Sequence, residues 1–255
     1  MIDIHSHILP GIDDGARTMN DSIDMAKQAV SEGIHTIIAT PHHMNGKYDN
    51  LKSDILPLVS ELNETLKQEA IDLQVLPGQE CRIYGEILED YQKGDILTLN
   101  KDSQYLFIEF PSNSVPRYAE RLLYELQVEG LTPVIVHPER NAELIERPDK
   151  LYKFVINGAA TQLTASSLVG YFGKNIQKFS QQMIEANLAH FIASDAHNIN
   201  NRTFKMEEAM NYVEKKFGID SLYYFTENAE MLVDNKTIYR EVPEEIKKKK
   251  FLGIF

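Results

Sequence analysis

The stretch IDIHSH, residues 2–7, decides how the whole chain is read. Its apolar, β-branched start suits a short strand, and side chains two apart on a strand share a face. His5 and His7 are therefore expected side by side at one strand end. The run HFIASDAHN, residues 190–198, repeats that spacing with Asp195 and His197. In an open sheet the first and last strands lie apart, whereas closing a barrel makes them neighbours.

Between these runs, apolar β-branched stretches alternate with helical patterns. Seven strands are expected, at 2–5, 35–40, 73–80, 105–110, 132–137, 159–164 and 190–195. Helices are expected at 18–33, 50–70, 116–130, 147–157, 174–188, 203–217 and 226–234. The first opens with Thr18 and Asp21 at capping-box spacing and runs to Gly33. Pro57 marks a start or a kink in the second. Such alternation means parallel strands with helical crossovers, in a barrel or an open doubly wound sheet. No repeat or long linker interrupts the 255 residues, so one α/β domain over 1–255 is expected.

Polar residues at the strand ends choose the barrel. The strands run into His5 and His7, then His42, Glu80, Glu109, His137, and finally Asp195 and His197. Asp14 follows the first strand in the loop GIDDGA. A βα-barrel gathers its C-terminal strand ends at one mouth, where catalytic groups sit. An open sheet would spread the outer ends too far apart. Nine candidate ligands exceed the roughly four to six donors that one first-row ion takes, so two or three ions are expected. Imidazole and carboxylate without thiolate suit Mn, Fe or Zn rather than Ca or a structural zinc. Such a cluster makes hydroxide from water near neutral pH and clamps both oxygens of a displacement, which is hydrolytic chemistry. His35 and His190 begin their strands, at the opposite end, and are read as structural. His43 follows His42, so it faces elsewhere and at most supports the site.

Composition narrows the partners. A net charge of −12 makes a poor generic binder of nucleic acid or anionic membrane. The single cysteine, Cys81, excludes an internal disulfide and suits a reducing, cytoplasmic setting. No signal peptide and no apolar run of membrane-spanning length is seen. Cysteine-dependent phosphatases carry C-x5-R, but Ile87 stands where Cys81 would need arginine. Cys81 also follows Glu80 on a strand, so it points away from the mouth and is read as a packed thiol. The tail at 247–255, KKKKFLGIF, is read as a solvated charge run with a tucked apolar end. Weak contact with anionic lipid is its alternative.

DIHSH, DDG, ATPHH, PGQE, FIEFP, VIVHPER and ASDAHN occur here in order. Together they resemble the polymerase-and-histidinol-phosphatase (PHP) superfamily, most closely its bacterial tyrosine-protein phosphatase branch. The resemblance covers essentially the whole chain. It implies a distorted seven-stranded (β/α)7 barrel with a trinuclear centre, usually of manganese. It also implies hydrolysis of phosphotyrosine on a bacterial tyrosine kinase that controls capsule or exopolysaccharide synthesis. The family's metal-binding positions fall on the nine residues named above, and its functional arginines on Arg140 and Arg202. Guanidinium forks suit that role, binding phosphoryl oxygens bidentately beside a carboxylate-lined rim. Metal-bound hydroxide is expected to attack phosphorus directly, with inversion. The alternatives are a small-molecule phosphatase of the histidinol-phosphate type and a non-catalytic barrel that docks a kinase.

Overall fold

The computed structural model describes residues 1–247. From 248 onward the basic and apolar tail lies outside the described residues. Strand and helix segments alternate along the chain, with some strands and some helices following one another directly. The strands are β1 (Ile2–Ser6), β2 (Thr36–Ala39), β3 (His42–His43), β4 (Gln74–Pro77), β5 (Glu80–Arg82), β6 (Tyr105–Glu109), β7 (Thr132–Val136), β8 (Ala160–Thr164) and β9 (Phe191–Ala193). Every pairing between them is parallel.

These nine strands form two sheets, ordered β1-β2-β4 and β3-β5-β6-β7-β8-β9, not one ring of seven. Two expected strands are broken in the middle. The run 35–40 stops at Ala39 and pairing resumes at His42, because Pro41 has no N–H for a ladder. The run 73–80 breaks at Gly78, where a β-carbon would lie 2.6 Å from Ile38 and 2.9 Å from Leu99. Backbone bonds cross these breaks and the gap between first and last strands. Glu80 N–H donates to Pro41 O at 3.0 Å, and Thr40 N–H to Ser6 O at 2.9 Å. His7 N–H donates to Ala196 O and Asp195 N–H to His5 O, both at 2.8 Å.

The helices cover the outer face. α1 (Met19–Ser31) opens on the expected capping box, with Thr18 Oγ1 accepting from Asp21 N–H and Asp21 accepting from Thr18 N–H. Its buried stripe is Met25, Ala26 and Ala29, and Gly33 beyond its end is left-handed, with φ 79°. Pro57 lies in the second turn of α2 (Lys52–Gln68), where it removes one intrahelical donor. Then come α3 (Ile87–Lys93), α4 (Ala119–Val128), α5 (Ala142–Glu146), α6 (Pro148–Ile156), α7 (Ala165–Leu168), α8 (Lys174–Glu185), α9 (Met206–Phe217) and α10 (Ile219–Val233). Short α3, α5 and α7 escape periodicity, being only one or two turns long. The last helix begins at Ile219, well before the expected 226, because Gly218 alone separates it from α9.

Both faces of the strands are buried, which is why the runs read as continuously apolar. Ile135, Leu163 and Ile192 face the helices, while Val134, Phe107 and Phe191 fill an inner cluster between the strands. Leu99, Leu232 and Ile238 close the inner cluster at the end where the strands begin. At the other end the same inner face turns polar, and there the site begins.

Candidate metal centre

β1 delivers His5 and His7, but not by simple alternation. Its register against β2 slips between Asp3 and Ser6, a bulge. Ile4 belongs to the inner cluster, yet the next residue, His5, also faces inward and lies 5.1 Å from the Phe107 ring. At two other strand ends the backbone turns left-handed, at His137 (φ 36°) and Asp195 (φ 53°). β9 has ended by then, so a shared strand face is not what brings Asp195 and His197 together. A 3₁₀ turn, Pro138–Arg140, follows His137 and carries Arg140 to the mouth. Asn198 accepts through Oδ1 from the N–H groups of Asn200, Asn201 and Arg202, folding Arg202 back over the same mouth.

All nine candidates join one network. Glu80 Oε2 lies 3.5 Å from His5 Nε2, 3.4 Å from His7 Nε2 and 2.8 Å from His42 Nδ1. Glu80 Oε1 is 2.8 Å from His137 Nε2. Asp195 Oδ1 is 3.5 Å from His5 Nε2 and 3.3 Å from His7 Nε2. Asp14 Oδ1 lies 3.4 Å from both His42 Nε2 and His197 Nε2, and Glu109 Oε2 is 3.8 Å from His42 Nδ1. Three subsets converge closely enough to hold an ion: His7–Asp14–His42–His197, His5–His7–Glu80 and His42–Glu80–Glu109. His137 and Asp195 fall outside those subsets while touching their members.

The donor atoms fit metal ions. His5 Nε2, His7 Nε2, His42 Nδ1, His197 Nε2 and Glu80 Oε2 are buried and make no aligned hydrogen bond. Buried polar atoms are normally paired, so five orphans shared among these three neighbouring subsets mark a place for cations. The outward ring nitrogens are occupied. His5 Nδ1–H donates to Gln162 Oε1 at 2.9 Å, and Gln162 is locked the right way round by donating Nε2–H to Leu163 O. His7 Nδ1–H donates to Asp13 Oδ2 at 2.6 Å, and His197 Nδ1–H to Asp195 O at 2.9 Å. These partners aim the remaining lone pairs inward.

Charge agrees. Asp13, Asp14, Glu80, Glu109 and Asp195 meet three guanidiniums, Arg82, Arg140 and Arg202, leaving a negative excess. Burial, then the charge of Glu80, pushes the Glu109 carboxyl up to about 7. Burial opposes ionisation of Glu80, yet His42 and His5 hold its carboxyl well below the usual range. Burial and the neighbouring Arg140 push His137 down to about 4, and burial with His7 does the same to His197. Burial works against a charged His7, but Asp13 draws its proton affinity well up.

Beside the cluster lies a cavity of about 230 Å³, lined by His42, Glu109, Asp195, Arg140 and Arg202 among others. Arg140 Nη2 donates to Asp195 Oδ2 at 2.6 Å, and Arg202 Nη2 to the same oxygen at 3.1 Å. The two guanidiniums thus converge on the cavity edge. His43 faces away, towards Tyr84 and Asp49, and His35 and His190 stand at the far end. Cys81 is fully buried in the outer cluster, where burial pushes its thiol well up. The sequence reading missed Arg82, Asp13 and Gln162. Only the DD pair at 13–14 carried any signal for them.

The chain matches the model of one protein family, described as capsular polysaccharide synthesis, CpsB/CapC, over residues 1–234. It belongs to the CpsB/CapC family. The tyrosine-protein phosphatase YwqE of Bacillus subtilis is 53% identical over 255 residues, all of both chains. A crystal structure from a study of YwqE and of CpsB from Streptococcus pneumoniae, described as unique metal-dependent tyrosine phosphatases, superposes with TM-score 0.95. It is 54% identical, covering 97% of this chain and 100% of the other. The zinc-bound histidinol phosphate phosphatase of Lactococcus lactis shares the fold alone, at 13% identity and TM-score 0.51 over 96% of this chain and 98% of its own.

Proposed function

We propose that this chain removes phosphate from phosphotyrosine on a bacterial tyrosine kinase of capsule or exopolysaccharide synthesis. It is a metal-dependent tyrosine-protein phosphatase of the CpsB/CapC family. The observation that carries the reading is the convergence of five orphaned, buried donor atoms beside a cavity edged by two arginines. His5, His7, Asp14, His42, Glu80, Glu109, His137, Asp195 and His197 would hold two or three ions, with manganese the expected metal. Bound there, the ions would supply a nucleophile from water near neutral pH and neutralise phosphoryl charge. The two sheets act as one distorted seven-stave barrel, joined by the backbone bonds between β1 and the residues after β9.

The chain's own residues do the rest. Arg140 and Arg202 present guanidinium forks to the phosphoryl oxygens and stabilise charge as it builds in the transition state. Asp195 Oδ2 holds both forks in place before substrate arrives. Asp13, Gln162 and the Asp195 carbonyl keep three imidazoles in the tautomer that faces the ions. No thiol takes part, and the partner kinase is met in the cytoplasm.

A phosphotyrosine peptide assay tests this. Activity should vanish with EDTA, return with manganese, and survive Cys81→Ser. Turnover of the peptide should exceed that of histidinol phosphate. A chelator-resistant rate, or loss of activity in Cys81→Ser, would sink the reading.

A further inference from the structure

Asp13 makes no contact with the cavity, and its side chain is fully buried. Three donors nevertheless converge on its two oxygens. His7 Nδ1–H reaches Oδ2 at 2.6 Å, His42 N–H reaches the same oxygen at 3.1 Å, and Gly15 N–H reaches Oδ1 at 2.9 Å. One carboxylate therefore ties together β1, the start of β3 and the loop that carries Asp14.

We propose that Asp13 is a positioning residue that sets three candidate metal ligands, His7, Asp14 and His42, in one mutual geometry. The inference rests on the metal reading above and deepens it. His7, Asp14 and His42 all belong to the same convergent group, with His197 as its fourth member. Asp13 aims His7 by its ring nitrogen, His42 by its backbone, and Asp14 by pinning the turn at Gly15. The turn is close-packed as well. Ala16 N–H donates to His7 O at 3.1 Å, and a β-carbon at Gly15 would lie 1.9 Å from that oxygen.

The chemistry explains why a carboxylate stands here. All three partners are donors, so the hub must accept at both oxygens. Asparagine offers one acceptor oxygen and an NH₂ group that would face a donor. In Asp13→Asn, at least one of the three tethers is lost. A carboxylate behind an imidazole also raises its basicity, which strengthens it as a ligand.

The test measures metal, not turnover. Chelator-stripped protein is titrated with Mn²⁺ against a fluorescent chelator, and stoichiometry is read by elemental analysis. Asp13→Asn should bind at least one ion about 10- to 100-fold more weakly than wild type. Asp21→Asn is the structural control, since Asp21 caps α1 six residues beyond Gly15 without joining the network. It should lower the melting temperature and leave manganese affinity at the wild-type value. Unchanged affinity in Asp13→Asn, or an equal loss in Asp21→Asn, would overturn the inference. If Asp13→Asn does not fold, Asp13→Glu carries the test: it keeps the charge but displaces the carboxylate by one methylene. Weaker binding supports positioning, and wild-type binding overturns it. Wild-type protein that takes up no metal would instead overturn the metal reading, and this inference with it.

Discussion

Arg82 grips Glu109 at both carboxylate oxygens, with Nε 2.9 Å from Oε2 and Nη2 3.0 Å from Oε1. The fork leaves Glu109 Oε2 facing His42 and Glu80, inside a group of residues that converge on one point. Burial and the charge of Glu80 push Glu109 up to about 7, and Arg82 works against both. Arg82→Ala should therefore weaken manganese binding about tenfold or more. Arg82→Lys should recover little, because an ammonium is a point charge and not a planar fork. Chelator competition on the two variants checks this.

Arg140 and Arg202 share one anchor, Asp195 Oδ2. Each change to alanine should lower kcat/KM by about 10²- to 10³-fold, the scale for removing one transition-state donor. The double variant should fall short of the product of the two, because groups that act on one centre are not additive. Metal content should stay at the wild-type value. Steady-state kinetics on a phosphotyrosine peptide, with elemental analysis alongside, gives both readouts.

His190 lies fully buried at the end where the strands begin, and its Nδ1 accepts from Thr161 N–H at 3.2 Å. Burial, then Arg240, pushes its proton affinity down to about 3. The folded state thus prefers a neutral ring that the unfolded chain would protonate below about 6.5. The stability it contributes is complete above that pH and is lost as pH falls towards 3. His190→Gln should flatten the pH dependence of stability between about 4 and 6.5 by one proton, about 1.4 kcal/mol per pH unit. Urea denaturation of metal-free protein across that range measures the slope.

Gly15 leaves no room for a side chain, since a β-carbon would fall 1.9 Å from His7 O and 2.5 Å from His7 Cβ. Backbone cannot rotate out of such a clash as a flexible side chain can. Gly15→Ala should cost about 1–3 kcal/mol, the usual range for overpacking. Gly85→Ala, where nothing lies within 4 Å of the added carbon, is the control and should change stability little. Urea midpoints for the two variants make the comparison.

Much of the site could be read one strand at a time. A polar residue at the end of an apolar run is a local signal, and eight such residues, with Asp14 from the loop after β1, stand in one network. Arg82 was invisible because nothing in GQECRI separates a fork on Glu109 from a solvated arginine. Gln162 looked like any polar residue in a strand, and its partner His5 lies 157 positions away. Splitting of the second and third expected strands was equally hidden. Pro41 warned of the first break, but the second depends on how closely Ile38 and Leu99 approach Gly78.

Sequence alone determined the broad alternation of parallel strands with helices, the capping of α1, the exclusion of Cys81 and which residues to name as candidate ligands. These rest on short-range rules: hydrophobic period, cap chemistry and the two-residue repeat of a strand. Only the tertiary structure decided how those ligands turn to face one another. A bulge at Ile4–His5 and left-handed turns at His137 and Asp195 break the two-residue repeat where it would have aimed these side chains. Partners as distant in the chain as Asp13 and His42 then meet, His42 N–H donating to Asp13 Oδ2. Such contacts form only once the strands are side by side, so no local pattern encodes them.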